Sequence, residues 1–357
     1  MPTINSYVFT AGAAYDSTTA EALVVGAYGA LISQSSNAVL LDLVSSIFNV
    51  TVEGLIASGA SGPFSGIAST QFNSVLNVTI EQGGSVSGER GIASSGAATI
   101  VNRGAISGHQ GQAVVLGASS GVSTVNNSGL ITSAEANAIY VQGGVLKLIN
   151  SGLIRAGAGE AAVGIVDALG RAEITNTGKI QGNLYFLGGH DVYSGANGSL
   201  LGKVSAGAGN DSITGGLNAD RFDGESGNDT LKGNAGADTL NGGPGLDKLY
   251  GGAGNDSFVF NVPFTAANRD TIYDFNLGND RMQLDNANFT KIGAVGALKP
   301  AVFKLSTEVK DANDRIIYNK ATGQVFYDSD GSGAAAPILF VTLANKPVVT
   351  AADFQVI

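Results

Sequence analysis

Aspartate recurs at nine-residue intervals across residues 206–259, and an apolar side chain follows each aspartate by two positions. The segment reads as six successive copies: AGAGNDSIT, GGLNADRFD, GESGNDTLK, GNAGADTLN, GGPGLDKLY and GGAGNDSFV. The acidic positions are Asp211, Asp220, Asp229, Asp238, Asp247 and Asp256. The apolar positions are Ile213, Phe222, Leu231, Leu240, Leu249 and Phe258. A constant period of this kind indicates a solenoid of small repeated turns.

The glycines before each aspartate suit the binding of a hard cation. Glycine permits positive φ and close backbone approach, so carbonyl oxygens can point at the ion that the carboxylate also binds. The pattern therefore predicts bound calcium. Besides the six aspartates, the predicted ligands are the backbones of Gly207, Gly209, Gly216, Gly227, Gly236, Gly243, Gly245, Gly252 and Gly254. Four residues depart from the glycine positions and are expected to weaken individual sites: Ala206, Asn218, Glu225 and Asn234.

This nonapeptide resembles the calcium-binding repeat of RTX proteins. The resemblance implies that two nonapeptides form one coil of a flattened right-handed β-roll, with calcium between turns stacked on the same edge. Six copies then make about three coils. Residues 206–259 carry eight acidic and three basic side chains. Their repulsion, added to an ordering cost of roughly 1–2 kcal/mol per residue, predicts disorder without calcium. The alternative is a flexible Gly/Asn/Asp-rich linker.

A looser repeat precedes the nonapeptides, anchored on Asn-x-Gly-x-Ile. It reads NRGAI at 102–106, NSGLI at 127–131 and 150–154, and NTGKI at 176–180. A short apolar strand follows each anchor, as in QAVVL at 112–116 and NAIYV at 137–141. The aligned glycines are Gly29, Gly54, Gly84, Gly104, Gly129, Gly152 and Gly178. Their spacing of roughly 20–30 residues is the coil length of a right-handed parallel β-helix, in which the repeated asparagines should form a side-chain ladder.

The region 25–187 resembles the haemagglutinin- and autotransporter-type β-helices of bacterial surface proteins. The fold class is therefore expected to be all-β, with the β-helix continuing into the β-roll. Residues 3–10 alternate well enough for one strand. For residues 20–32 a helix is an open alternative, although EALVVGAYGALI lacks a clear helical period.

Beyond residue 260 the sequence becomes an ordinary alternating pattern. DTIYDFNLGNDRMQLD at 270–285 resembles the segment that caps the β-roll in serralysin-type proteases, through Asp270, Ile272, Asp274, Phe275, Gly278, Asp280 and Leu284. The resemblance implies that Asp353-Phe354 and the following apolar residues are presented to a type I ABC exporter; a plain β cap is the alternative. Asp328-Ser-Asp330-Gly331 matches the first residues of an EF-hand calcium loop, but the glutamate that such a loop has at its twelfth position is missing. A turn is therefore predicted there.

Composition excludes several classes of partner. The 357 residues carry a net charge of −10, whereas nucleic acids and anionic lipids require clustered Lys and Arg. Cysteine is absent, so stability cannot come from disulfides and the redox compartment cannot be read. The N-terminal stretch MPTINSYVFTAGAAYD lacks the features of a Sec signal, and no apolar run has membrane-spanning length.

Catalytic motifs are also missing from the sequence. The two histidines, His109 and His190, are far apart in the chain and form no HExxH motif, which excludes the zinc protease activity of serralysins. The best combination for polysaccharide chemistry is His109 with Arg103 or Arg155 and Glu135. No catalytic residue is predicted.

The predicted domains are an N-terminal strand, cap or assembly segment (1–24), a β-helix (25–200), a calcium-binding β-roll (201–260) and a cap with secretion signal (261–357). The favoured function is a non-enzymatic, calcium-dependent structural protein, secreted to the outside or surface of a bacterial cell. It would form a homo-oligomer, filament or lattice in a surface layer or biofilm matrix. The alternatives are a monomeric adhesin that binds cell-surface polysaccharide and a β-helix polysaccharide lyase or epimerase.

Overall fold

The computed structural model describes residues 3–4, 7–10, 15–17, 22–26, 30–33, 38–41, 47–59, 64–71, 73–117, 121–165, 170–263, 265, 267–276, 278–306 and 311–357. These residues form β-strands and two short 3₁₀ turns, with no α-helix among them. No described helix is long and apolar enough to cross a membrane. The chain divides into two compact units, Met1–Lys203 and Val204–Ile357.

Unit 1 is a parallel β-helix in which a coil consists of up to three strands. Equivalent strands of successive coils pair side by side, which gives three parallel sheets, here called stacks. The first stack contains β1 (Thr3–Ile4), β4 (Ala22–Val25), β7 (Ile47–Val52), β10 (Val75–Ile80), β13 (Ala97–Asn102), β16 (Val122–Asn127), β19 (Val145–Asn150), β22 (Arg171–Asn176) and β25 (Val192–Ser194). The second contains β2 (Tyr7–Thr10), β5 (Ala30–Ser33), β8 (Leu55–Ser58), β11 (Ser85–Gly88), β14 (Ala105–Gly108), β17 (Leu130–Ser133), β20 (Leu153–Arg155), β23 (Lys179–Gln181) and β26 (Ser199–Leu201). The third contains β3 (Tyr15–Ser17), β6 (Val39–Leu41), β9 (Ser65–Ser69), β12 (Arg90–Ser94), β15 (Val114–Leu116), β18 (Ile139–Val141), β21 (Ala161–Ile165) and β24 (Asn183–Tyr185).

Alternation along each strand builds the interior of unit 1. In β10, Leu76, Val78 and Ile80 are buried, while the intervening residues face outward. The parallel register aligns β10 residue for residue with β7 and β13, so like positions stack along the coil axis. Because the period of a strand is two, every coil places its aliphatic side chains inside.

The asparagine anchors form the predicted ladder. The side-chain amide of Asn102 donates to Oδ1 of Asn127 at 2.7 Å, Asn127 donates to Asn150 at 2.7 Å, and Asn150 donates to Asn176 at 2.8 Å. All four side chains are buried. The ladder begins at Asn102 because Ile80 occupies the equivalent position in the preceding coil.

Close backbone contact explains the anchor glycines. A Cβ on Gly104, Gly129, Gly152 or Gly178 would collide with the carbonyl oxygen of the anchor glycine one coil earlier. Among the predicted anchors, Gly29 lies outside the described residues.

One prediction and one open alternative for the N-terminal region are wrong. Residues 3–10 do not form one strand, because β1 pairs with β4 in the first stack whereas β2 pairs with β5 in the second. The helix considered for residues 20–32 is not formed by the described part of that segment, which contains strands β4 and β5. In both cases the parallel neighbours one coil later determine the structure, and local alternation does not reveal them.

Unit 2 begins with a two-stack β-roll in which each strand from β27 to β33 pairs in parallel with the strand two places later, while β34 and β35 pair onward with β40 and β41. One stack contains β27 (Val204–Ser205), β29 (Arg221–Asp223), β31 (Thr239–Asn241), β33 (Ser257–Phe260), β35 (Arg281–Leu284) and β41 (Phe354–Val356). The other contains β28 (Ser212–Thr214), β30 (Thr230–Ala235), β32 (Lys248–Ala253), β34 (Asp270–Ile272) and β40 (Ile338–Leu343). The six predicted apolar positions are all buried, so the nonapeptides form three coils as predicted. The flexible-linker alternative is wrong.

The segment after the nonapeptides adds a fourth coil and then a cap. Strand β34 pairs with β32 and β40, and β35 pairs with β33 and β41. The remaining elements are β36 (Gly296–Ala297), β37 (Phe303–Leu305), β38 (Ile316–Asn319), β39 (Gln324–Tyr327) and the 3₁₀ turns Pro300–Val302 and Ala351–Asp353. Strand β36 lies antiparallel on β41, and β38, β39 and β40 form an antiparallel meander. Aromatic side chains fill the cap, with the rings of Phe289 and Phe340 5.0 Å apart.

Replacing Asn127 with alanine should destabilise unit 1 by about 1–3 kcal/mol, because it leaves buried amide groups of Asn102 and Asn150 without their ladder partner. Urea unfolding followed by circular dichroism measures the change. Asn77→Ala is the control, since Asn77 bonds Asn49 only on the surface; its cost should stay below about 0.5 kcal/mol. Equal costs for the two variants would show that the buried ladder does not stabilise the coil stack.

Candidate calcium centre

The six aspartates of the nonapeptides lie in two rows, one on each edge of the roll. In every described rung, Oδ1 of one aspartate accepts the backbone N–H of the aspartate two repeats earlier. These bonds run from Asp211 to Asp229 (2.8 Å), Asp220 to Asp238 (2.7 Å), Asp229 to Asp247 (2.7 Å) and Asp238 to Asp256 (2.9 Å). All six carboxylates are buried. Acidic side chains therefore stack directly on one another at the coil spacing.

The second carboxylate oxygen of most rungs is buried and makes no hydrogen bond to the described residues. This holds for Oδ2 of Asp229, Asp238, Asp247 and Asp256. Oδ2 of Asp220 instead accepts the backbone N–H of Gly216 at 2.9 Å. A buried carboxylate oxygen without a partner carries a large desolvation cost, so these oxygens are suited to a cation.

Backbone carbonyl oxygens lie close to the row aspartates at positions where glycine has no side chain to separate them. A Cβ on Gly224 would touch both Oδ2 of Asp229 and the carbonyl of Gly242, and Gly233 stands in the same relation to Asp238 and Gly251. A Cβ on Gly227 would coincide with the carbonyl of Gly209. The glycines therefore preserve a cradle of oxygen atoms that any side chain would fill.

Seven of the nine predicted glycine ligands have positive φ: Gly207, Gly209, Gly227, Gly236, Gly243, Gly252 and Gly254. Gly216 and Gly245 are not among them, but a Cβ on Gly245 would collide with the carbonyl of Gly227. Two of the four departures keep the left-handed conformation without glycine, since Glu225 has φ 60° and Asn234 has φ 73°. The side-chain amide of Asn234 donates to the carbonyl of Gly215 at 2.8 Å, which ties that turn to the preceding coil.

Burial raises the pKa values of the stacked carboxyls. The pKa of Asp229 rises to about 8, mainly through desolvation, with further contributions from the carboxylates of Asp247 and Asp211; a hydrogen bond from the backbone of Asp211 opposes the rise. Desolvation likewise raises the pKa values of Asp238 and Asp247 to about 6. Without a compensating positive charge, the folded roll therefore retains protons that an unfolded chain would release.

The donor set fits calcium, an ion that takes six to eight oxygen ligands from carboxylates and carbonyls. In the part of the chain that the structure describes, no three His, Asp or Glu side chains converge to hold a metal. Backbone oxygens must therefore complete any coordination sphere. The residues that would hold the ion are the row aspartates and the glycine carbonyls on the same edge. Calcium would supply the positive charge that these buried carboxylates require.

Three carboxylates in the fourth coil, which the nonapeptide pattern does not predict as ligands, bond the backbone of the coil before them. Asp270 accepts the N–H of Asp247 at 3.1 Å, and Asp280 accepts that of Asp256 at 3.1 Å, so each extends one row by a rung. Asp274 accepts the N–H groups of Gly251 and Gly252 at 2.9 and 3.0 Å. In the sequence, residues 270–272 and 280–282 keep the nonapeptide spacing of an aspartate followed two positions later by an apolar residue, and this spacing indicates the two added rungs.

Asp328 adopts the predicted turn. Its Oδ1 accepts the backbone N–H groups of Asp330 (3.2 Å) and Gly331 (2.9 Å), the geometry of an aspartate-capped turn.

Comparison with known families agrees with this geometry. Residues 203–231 and 223–258 match the sequence model of the RTX calcium-binding nonapeptide repeat, in four copies. A search of curated proteins found no match to this chain. The nonapeptide segment is thus a calcium-binding RTX repeat region, and proteins with such repeats are typically secreted.

Asp238→Asn should lower the number of bound calcium ions and raise the calcium concentration needed for folding by about tenfold, because calcium affinity depends on the charge of the ligands. Calorimetry gives the stoichiometry, and circular dichroism gives the folding midpoint. The matched control is Asp223→Asn, whose carboxylate accepts a bond from Asn241 outside the two rows. Similar changes in both variants would contradict the assignment of the row aspartates.

Calcium binding should release protons below about pH 8. The folded-state pKa values of Asp229, Asp238 and Asp247 lie above the ordinary value of 3.8. Their protonation therefore stabilises the calcium-free roll fully below about pH 4, and this stabilisation is lost as pH rises through 6 to 8. Calcium competes with these protons, so its apparent affinity should fall from pH 8 to pH 6. Titration calorimetry in buffers of different ionisation enthalpy measures the release; a binding heat independent of the buffer would contradict it.

Proposed function

We propose that this protein is a secreted, calcium-dependent structural protein that folds outside the cell and assembles through its N-terminal coil. The assembly would be a surface layer, filament or biofilm matrix. The supporting observation is that β1, β2 and β3 pair on one side only among the described residues.

The first strands of unit 1 and the last parallel strand of unit 2 differ in whether another described strand pairs with their outer edge. Strands β1, β2 and β3 pair with β4, β5 and β6, and no described strand covers their outer edge. In unit 2, the last parallel strand β41 is covered by antiparallel β36. An uncovered row of backbone N–H and C=O groups is a template for another chain, whereas a covered edge is not. A second copy of the protein would therefore pair at the N-terminal coil.

Calcium would control when the fold forms. The aspartate rows keep buried carboxylates in contact, and one apolar side chain per nonapeptide contributes little to offset their repulsion. At low intracellular calcium the repeats would stay unfolded, which suits transport through a narrow exporter. Calcium at the concentrations that weak extracellular sites require, about 10⁻⁴–10⁻³ M, would then fold the roll.

A type I ABC exporter is the transport partner that this order of events suggests. Phe354 is buried in β41 and packs 5.7 Å from the ring of Phe303. Asp353 is held in a capping box with Thr350. An exporter that reads these residues must therefore do so before the cap folds.

The exposure of the candidate catalytic residues favours a structural role over an enzymatic one. His109 and Glu135 are exposed at turns that follow the second stack, and Arg155 is exposed at the end of β20 in that stack. Arg103 lies at a different corner, where its guanidinium pairs with Glu81 at 3.1 Å on the surface. Acid–base chemistry on a carbohydrate needs an acid and a base that converge on one bond, and exposed side chains at turns and strand ends favour a surface role instead.

Proline scanning of β2 tests the assembly edge. In a parallel edge strand, successive N–H groups alternate between the neighbouring strand and the open side. Of Tyr7→Pro and Val8→Pro, one should therefore remove a bond to β5 and lower stability by about 3 kcal/mol. The other should leave stability nearly unchanged and abolish assembly.

Negative-stain microscopy and light scattering at millimolar calcium, each repeated in chelator, provide the readout. Wild-type protein should form ordered assemblies only with calcium. Monomeric wild-type protein in calcium would contradict the proposal and favour the monomeric adhesin. Assemblies formed by both folded proline variants would show that another surface makes the contact.

A further inference from the structure

One outward face of the roll carries an aromatic and basic column. Lys232 pairs in register with Tyr250 across β30 and β32, and the Leu249–Ile272 pair places Tyr273 next to Tyr250. Lys248 lies on the same face, two residues before Tyr250, so both point outward from the buried Leu249. We call Lys232, Lys248, Tyr250 and Tyr273 the Tyr–Lys face.

The two tyrosine rings form a rigid platform. Their centroids are 4.6 Å apart and their planes differ by 7°, while Nζ of Lys232 lies 5.3 Å from the centre of the Tyr250 ring. Lys232 and Tyr273 thus flank Tyr250. Each member restrains its neighbour, so little side-chain entropy remains to be lost when a ligand binds.

The platform remains open beyond Tyr273. Leu343 pairs with Ile272, and the following residue, Ala344, donates its backbone N–H to the carbonyl of Ile272 at 2.8 Å. The position beside Tyr273 in the next strand is therefore occupied by Ala344, whose side chain is only a methyl group, and the stack of tyrosine rings ends at Tyr273. Tyr273 is 37% exposed. A planar or chair-shaped ring of a ligand can extend the stack at this position.

The face is positively charged although the chain is acidic. Lys232 and Lys248 are exposed, and neither forms an ion pair among the described residues. The nearby carboxylate of Asp274 is bonded to the N–H groups of Gly251 and Gly252. Thr230, Thr271 and Thr342 add hydroxyl groups in the column that includes Lys248.

We propose that the Tyr–Lys face binds an acidic polysaccharide built from uronic acids. The C–H face of a pyranose ring would pack on Tyr273, and its carboxylate would pair with Lys248 or Lys232, while the threonines would bond its hydroxyls. Two lysines in a chain of net charge −10 are too few for the many phosphate contacts that hold a nucleic acid. This role is independent of assembly, because it uses a side face of the roll.

Affinity measurements with short oligouronates that stay soluble in calcium test the proposal. Wild-type protein in calcium should bind them, with affinity falling as salt rises, and should not bind the matching neutral oligosaccharides. Tyr273→Ala and the double variant Lys232→Gln/Lys248→Gln should each bind at least tenfold more weakly. Both variants should keep the wild-type calcium midpoint, since neither alters a row aspartate.

Tyr185→Ala is the matched control. Tyr185 is also 37% exposed and lies 5.4 Å from Nζ of Lys203, but its strand belongs to unit 1. Oligouronate binding should be unchanged in this variant. The proposal would be overturned if Tyr185→Ala lost as much oligouronate affinity as the Tyr–Lys variants. It would also be overturned if those variants bound as tightly as wild-type protein, or if wild-type protein did not bind. Equal binding of sulfated dextran or single-stranded DNA would reduce the face to a general polyanion patch and also overturn it.

Discussion

The stacking of buried carboxylates at the coil spacing is the constraint on which unit 2 depends. In both rows, the later aspartates (Asp229, Asp238, Asp247 and Asp256) use one oxygen to hold the backbone of the preceding coil and leave the other oxygen buried without a bond to the described residues. The first contact fixes the register between coils, and the second creates a demand for positive charge. The same side chain therefore determines both the geometry of the turn and its dependence on an ion.

Glycine and aspartate make this arrangement possible together. If larger residues replaced the glycines, carbonyl oxygens from neighbouring coils could not approach the carboxylates, and the edge would have no oxygen cradle. Unit 1 solves the related problem of stacking polar turns without charge. Its asparagine amides both donate and accept, so Asn102, Asn127, Asn150 and Asn176 bond one another along the ladder without an ion. Only Oδ1 of Asn102, at the first rung, stays buried without a partner among the described residues.

Much of the architecture could be predicted because its causes are local and repeated. The nonapeptides indicate both the buried apolar position and the row aspartates, and Asn-x-Gly-x-Ile indicates the corner ladder. The sequence pattern misleads where pairing partners lie a coil away, as at residues 3–10. Asp270 and Asp280 do not stand out in the sequence because they follow Asp247 and Asp256 by more than the length of two nonapeptides, the interval that separates all the earlier rungs. The longer connections hide these rungs from any search at a fixed period, although the backbone returns to the same register.

Each strand of the nonapeptides pairs with the strand two places later, so whether the number of nonapeptides is odd or even decides which stack a later strand joins. Loss or gain of a single nonapeptide would move every later strand, together with the cap that pairs with β34 and β35, to the opposite stack and turn that end by half a coil relative to the coils before it. Loss or gain of two nonapeptides would leave both stacks and the cap in place. Length variation in this part of the chain is therefore quantised in whole coils, each twice the unit that the sequence spells out.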